Sequence, residues 1–373
     1  MLIIFFFHNA RFFDFMDWHL KNAERSMGFM AFVGFLSQWL MPIFFLLSGA
    51  GSWFALEFRD SGQYLRDRVK RLLVPYYLVG LFILIPPQYY WEQVTHSRFS
   101  GSFSQFIPHY FHFPRDPQFF GFSLFLSYWS GHLWFLHYLF LFSLIALPLF
   151  LFLKSNSGRN LISRLAGLCE QRGGIFLFVT PVALIQIALR AKFPSYLGWA
   201  DFGYWLVFFI TGFILPADER FKQAIERTGG TSLAIGVTAS LIIFIGFAMG
   251  YTVAWEENPS YTPGYLSYQA LRSLNTWCWI AFALAISSKF LSFRNRTLDY
   301  CSEAVLPFYV LHQTVILAVG YYVVQWNLNI LLKYLIISTT SFVVVMTLYD
   351  LLIRRNTILR FLFGMKGKAQ SAG

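Results

Sequence analysis

The sequence predicts an all-α fold, a polytopic membrane bundle of about ten transmembrane helices with both ends in the cytoplasm. Three observations predict it. Of the 373 residues, 57% are hydrophobic and only 13% charged, about half the ~25% charged fraction of a soluble domain. The apolar residues collect in runs near 20 residues long, the length a helix needs to cross a bilayer. The basic residues alternate between dense and sparse in successive connecting segments, as the positive-inside rule requires.

The runs follow in order. Leu2 to Phe7 stops at His8 and resumes at Phe12. It is too short to span, and it lacks the basic start and small-residue cleavage site of a secretory signal. The expectation is that Met1 is not the natural start, or that the first helix lacks its cytoplasmic half. Nine further runs are Phe32 to Leu56, Leu72 to Trp91, His132 to Leu153, Gly174 to Leu189, Phe202 to Pro216, Ser232 to Gly250, Ser267 to Ser287, Val305 to Gln325 and Ile330 to Ile353. The fourth and fifth of these are short. Between the second and third lies the largest outer loop, residues 92–131, rich in aromatics and in Pro108, Pro114 and Pro117. Loops of that length are usually functional or disordered. There is no internal repeat, and residues 1–373 read as one membrane domain.

With the first helix running outward, the cytoplasmic segments hold 20 Lys and Arg residues and the outer segments 7, with Arg272 and Lys333 inside helices. A wrong helix count would scramble this alternation. The net charge of +11 is therefore a topology signal rather than the clustered patch of a nucleic-acid binder, and no nucleic acid is expected as a partner. Cys169, Cys278 and Cys301 form no CxxC pair, which argues against a disulfide framework or a zinc site.

Ionisable groups within the apolar runs are the candidates for chemistry, because they are costly in lipid and face the protein interior or a cavity. His8 lies in the outer part of the first helix. An imidazole titrates near neutrality and can take a proton from a hydroxyl; a histidine bonded to a neighbouring helix is the bland alternative. His132 and His137 open another helix at its outer end, five residues and about 140° apart, so they do not share a metal as an i, i+4 pair would. His312 lies in mid-span. Arg272, just inside an outer helix end, can snorkel or bind an anionic group, since its guanidinium stays charged. His109, His112 and Asp116 lie in the proline-rich outer loop, where we expect no metal. On the cytoplasmic side Arg66, Arg68, Lys70 and Arg71 precede Pro75; they mark topology and would also attract a phosphate-bearing donor.

These pieces together resemble one family, the acyltransferase family 3 membrane proteins. The resemblance rests on His8 in the first helix, the segments Pro42 to Gly49, Arg68 to Tyr76, and His132 to Leu136, and on Pro307-Phe308-Tyr309-Val310-Leu311-His312-Gln313, which looks most like the glucan-biosynthesis protein C branch. It covers almost the whole chain. It implies about ten helices and transfer of an acetyl, succinyl or similar group from acyl-CoA to a hydroxyl of a periplasmic or cell-envelope carbohydrate or glycolipid, at the inner membrane, with no bound cofactor. The family regards the first-helix histidine as essential, and His8 matches it. The family's arginine eleven positions earlier would fall before Met1.

On this reading the acyl-CoA headgroup docks near Arg68 and Arg71, and His8 is the general base for the acceptor hydroxyl. Arg272 or His312 stabilises the developing oxyanion, and His132 and Trp134 face the acceptor. The rival is a transporter or flippase of a glycan or lipid precursor, which shares the helices and the intramembrane charges but gives no account of the histidine motifs. Inverted repeats would favour it, and none is visible.

Overall fold

The computed structural model describes residues 1–112, 131–291 and 293–366, and among them every regular element is helical. The helices, in our numbering, are α1 (Leu2–Ala10), α2 (Met27–Phe58), α3 (Ser61–Thr95), α4 (Phe103–His112), α5 (Gly131–Ile145), α6 (Leu147–Lys154), α7 (Asn156–Glu170), α8 (Gly174–Leu189), α9 (Trp199–Ala217), α10 (Glu219–Ala248), α11 (Tyr251–Glu257), α12 (Pro263–Phe290), α13 (Arg296–Val323), α14 (Ile330–Ile353) and α15 (Thr357–Leu362). Each of the ten apolar runs is helical.

Length and composition reduce the expected ten spans. Among the described residues six helices are long and apolar enough to cross a membrane, namely α2, α3, α9, α10, α13 and α14, and a seventh results if α5 and α6 form one span bent by 50°. The bend has a cause in Pro148, which opens α6 and cannot supply the backbone donor that would continue α5. Of the remaining runs, α8 is shorter than a span and α1 has nine residues. Helix α12 is 28 residues long, but its buried face carries Gln269, Ser273, Asn275 and Thr276, which dilute its hydropathy.

Lipid leaves no water for stray backbone groups, so breaks in a span must be satisfied from within. Helix α2 breaks at Gln38, and there the Thr276 hydroxyl donates to the Gln38 carbonyl at 2.6 Å while the Asn275 amide donates to the Gln38 side chain. Helix α3 carries Pro75 in mid-course. It starts as α-helix over Ser61–Arg68 and is wound as π-helix through its middle, Val69–Leu73 and Pro75–Leu84, the wider turn easing the ring past the preceding carbonyls.

Helices in a membrane pack through small residues that let backbones approach. A Cβ on Gly49 of α2 would lie 1.9 Å from the Phe209 carbonyl oxygen, and one on Gly212 of α9 would lie 1.8 Å from that of Leu46. The two helices thus meet backbone to backbone. Around the contact Phe45 stacks on Trp205 at 5.6 Å, and Phe150 on Phe213 at 3.7 Å. Helix α13 is the most deeply buried span and α10 the least, with Leu241, Ile242 and Ile245 exposed as a lipid-facing stripe. The buried α13 is the axis on which the site is built.

Candidate active site

The short α1 ends at Ala10, and the chain turns back over it through residues 11–26. A buried carboxylate makes this return. Asp14, wholly inaccessible, accepts from Arg11 at 2.6 Å and from Lys21 at 2.5 Å, and it also caps the Met16 amide at 2.9 Å. Burial lowers the Lys21 pKa, and the bond to Asp14 works against that fall. The Asn22 and Ser26 amides donate to the Phe12 and Phe13 carbonyls, at 2.9 and 2.8 Å, and Lys333 of α14 donates to Asn22 at 2.8 Å. The result lays the Trp18 indole parallel to the His8 imidazole, with centroids 6.1 Å apart and planes 15° apart, and sets His19 beside it.

Three distant sequence segments bring their histidines together here. The rings of His8 on α1 and His312 on α13 are 5.2 Å apart, and those of His312 and His132, on the opening turn of α5, are 5.1 Å apart. Backbone carbonyls fix the tautomers of two of them. A carbonyl can only accept, so His312 Nδ1 donates to the Tyr309 oxygen at 2.6 Å and His132 Nε2 to the Val310 oxygen at 3.1 Å. His312 Nε2 is then a lone pair. That atom and His8 Nδ1 are buried without hydrogen-bond partners among the described residues. Two imidazoles in ring contact therefore keep unused nitrogens, the arrangement proton transfer to or from a substrate needs.

A chain of amides holds the cluster and leads away from it. Gln88 of α3 donates to His132 Nδ1 at 3.4 Å and to the Thr314 hydroxyl at 2.8 Å; Thr314 donates to the Leu84 carbonyl at 2.9 Å. Gln313 donates to Gln88 at 3.2 Å and to His19 Nε2 at 3.3 Å, and the other nitrogen of His19 is bonded to the Glu92 carboxylate. His19, Glu92, Gln88, Trp18 and Asp14 were not expected from the sequence. Their signal was a polar residue within an apolar run for Gln88; the others stood in segments that read as loops or helix ends.

The remaining expected residues are dispersed. Arg272 of α12 lies over the Tyr268 ring at 5.4 Å and pairs with Glu256 at 3.5 Å; none of its contacts reaches an imidazole. Trp134 follows His132 by two residues and so points elsewhere, stacking on Trp205 at 4.7 Å and meeting Tyr196 edge-on at 5.8 Å. Tyr196 is held there by its neighbour Leu197, which has φ 62°. The Leu197 amide donates to Asp201 at 3.0 Å and its carbonyl accepts from Tyr138 at 2.5 Å. His137 stands apart from His132, against Tyr76. Arg68 donates to Ser52 at 2.7 Å and covers the Tyr64 ring, whereas Arg71 lines a cavity together with Arg360 and Lys366. His109 donates to its own helix, at Gln105, and Asp116 lies outside the described residues. Among the described residues no cluster of histidine, cysteine and carboxylates suits a metal.

A family model described as "Acyltransferase domain" matches residues 1–350. Comparison with curated proteins and with solved structures gave no match. The matched stretch includes all three clustered histidines and every candidate span but the last three residues of α14, and the chain is accordingly a multi-pass membrane protein that belongs to acyltransferase family 3.

Proposed function

We propose that the protein moves an acyl group of the acetyl or succinyl class from cytosolic acyl-CoA to a hydroxyl of a periplasmic, cell-envelope carbohydrate, at the inner membrane. The observation that carries this reading is the pair of buried, unpartnered imidazole nitrogens on His8 and His312. His8 takes the proton of the acceptor hydroxyl as its oxygen attacks the thioester carbonyl. The tetrahedral intermediate collapses with cleavage of the carbon–sulfur bond. The proton on His8 passes to the departing thiolate, so the ester and the free thiol leave with no net proton gained or lost. Such a base contributes about 10²–10⁴-fold.

The bond from His312 to the Tyr309 carbonyl presents a lone pair on the other nitrogen, so His312 suits an acceptor that orients His8 rather than a donor to the oxyanion. The pairing of Arg272 with Glu256 likewise gives no support to an oxyanion role there. His132, held on α13 and α3, fixes the far wall of the cluster, and Trp134 with Tyr196 forms an aromatic surface two residues beyond it. Mass spectrometry of envelope glycans from cells with and without the protein tests the proposal. An acyl substituent present only with the protein supports it; identical glycans in both, together with unchanged acyl-CoA consumption, would remove it.

A further inference from the structure

The connection between α8 and α9 turns at Ser195, whose carbonyl accepts from the Gly198 amide at 3.0 Å. Tyr196 and Leu197 form the middle of the turn. Leu197, in the third position, has φ 62°, where a positive φ ordinarily calls for glycine. A leucine persists there only when its surroundings over-determine it. Its side chain is buried, its amide donates to Asp201 at 3.0 Å, and its carbonyl accepts from Tyr138 at 2.5 Å. Asp201 is itself paired with Arg190, which also donates to Gln186 at 2.9 Å. What this strain fixes is the ring of Tyr196, which stays 60% exposed. Beneath it the buried indoles of Trp134 and Trp205, stacked at 4.7 Å, meet the ring edge-on at 5.8 and 6.1 Å. An exposed ring already held in place loses little freedom when a ligand stacks on it.

The ring adjoins the histidine cluster. Its hydroxyl has Arg11, Asp201, Tyr138 and Tyr309 as electrostatic neighbours. Tyr309 donates to the His132 carbonyl and sets its own ring 5.7 Å from those of both His132 and His312. Tyr309 thus links the exposed ring to the imidazoles. The charges nearby are matched. Arg11 pairs with Asp14, Arg190 with Asp201 and Arg272 with Glu256. The other cation of the connection, Lys192, lies over the Phe193 ring at 5.5 Å. An anionic ligand would meet cations already engaged, and a cationic one would meet engaged carboxylates. A neutral ligand with an apolar face and hydroxyl edges suits an aromatic face with a polar tip.

We propose that Tyr196 is the stacking platform for a neutral hexose ring of the acceptor, and that the matched charges around it select against acidic sugars. The proposal rests on the carbohydrate-acceptor reading above and adds to it a binding residue and a sugar class. The C–H face of the pyranose lies on the exposed tyrosine ring. The hydroxyls at its edge face Tyr309 and the imidazoles, where one of them gives its proton to His8.

The test uses the full chain in phosphatidylcholine nanodiscs, without donor, and follows binding by calorimetry. The probes are the neutral and the acidic fractions of isolated envelope glycan, separated by anion exchange. The variants are Tyr196→Ala and Tyr196→Phe, with Tyr261→Ala, at a ring 57% exposed, as control. Because the Tyr196 ring is exposed, its removal leaves the indole pair beneath in place. Binding of the neutral fraction that weakens roughly tenfold or more in Tyr196→Ala, and stays within a few fold of wild type in Tyr196→Phe and Tyr261→Ala, supports the proposal. Equal binding in Tyr196→Ala and wild type overturns it and leaves the carbohydrate reading standing. Tighter binding of the acidic fraction overturns the sugar class. A loss in Tyr196→Phe as large as in Tyr196→Ala overturns the stacking and transfers the binding to the hydroxyl. A matching loss in Tyr261→Ala overturns it as a general effect of interfacial tyrosines. Failure of both fractions to bind the wild-type protein removes the carbohydrate reading together with this site.

Discussion

Asp14→Asn should loosen the turn that lays Trp18 and His19 over the imidazoles. The wild-type carboxylate is fully buried and bridges Arg11 and Lys21, whose side chains are only 10% and 13% exposed. The amide keeps the shape but removes the negative charge. Arg11 then retains the Asp17 carbonyl at 2.6 Å, and Lys21 retains the carbonyls of Arg11 and Asp14, at 2.6 and 3.2 Å. Two cations are left sharing carbonyl oxygens in a poorly solvated turn. Removing one partner of a buried pair costs about 3–5 kcal/mol, and the residual exposure and remaining carbonyls point to the lower end, about 3 kcal/mol. At 1.4 kcal/mol per tenfold, that is roughly a hundredfold in the equilibrium between ordered and opened turn. The assay is acyl transfer by purified protein beside thermal unfolding in detergent, with Asp17→Asn as control because Asp17 bonds Arg11 through its backbone carbonyl, which the substitution keeps. We expect Asp14→Asn to lose most transfer activity and to unfold earlier, and Asp17→Asn to match wild type. Equal activity and unfolding in the two variants would refute the role of the buried carboxylate.

Other outcomes follow from the same geometry. Gly49→Ala or Gly212→Ala must push α2 and α9 apart by about 1.5 Å to reach ordinary contact; overpacking of this kind costs about 1–3 kcal/mol, and both variants should unfold earlier in detergent. Arg272→Ala should keep transfer within a few fold, since its partner is Glu256, whereas His312→Ala should lose it; kcat for the two variants separates the readings. Asp218 accepts from the Arg220 backbone and side chain at the start of α10, and the bond to Arg220 holds its carboxyl pKa below the ordinary value. A depressed carboxylate stabilises above its unfolded pKa and ceases to do so as pH falls through its folded one. The destabilisation by Asp218→Ala, roughly 1 kcal/mol as a lost helix cap, should therefore be constant from pH 5 to 8 and shrink below about pH 4, as unfolding midpoints across that range would show.

Much of the fold was legible because a bilayer imposes one demand, an apolar stretch of set length, and each of the ten runs is helical, though His132 to Leu153 divides into α5 and α6. The number that cross was less legible. Mean hydropathy is an average over a helix surface, and α12 hides its polar residues on the face that caps the break at Gln38. The bend between α5 and α6 depends on Pro148, which sat inside a run that read as continuous. In the site, each of His8, His132 and His312 was visible as an ionisable residue where lipid should be. Their mutual contact was not, because periodicity gives the face of a helix and not the helix it meets. Arg68 and Arg71 show the same limit: three residues apart, they sit on one side of a turn in an α-helix, yet the π-wound stretch beginning at Val69 sends one to Ser52 and the other to the cavity. His19 and Glu92 escaped notice because the return of residues 11–26 onto α1 is set by Asp14, a carboxylate with no local pattern to announce it.

The account stands most directly on His8. In nanodiscs, with acyl-CoA as donor and isolated envelope glycan as acceptor, release of free thiol measures transfer without assumptions about the product. His8→Ala should insert, unfold at the wild-type temperature and release thiol about 10²-fold more slowly or less. Thiol release at the wild-type rate would contradict the assignment of the proton transfer to this imidazole, and with it the reading of the histidine cluster as the active site.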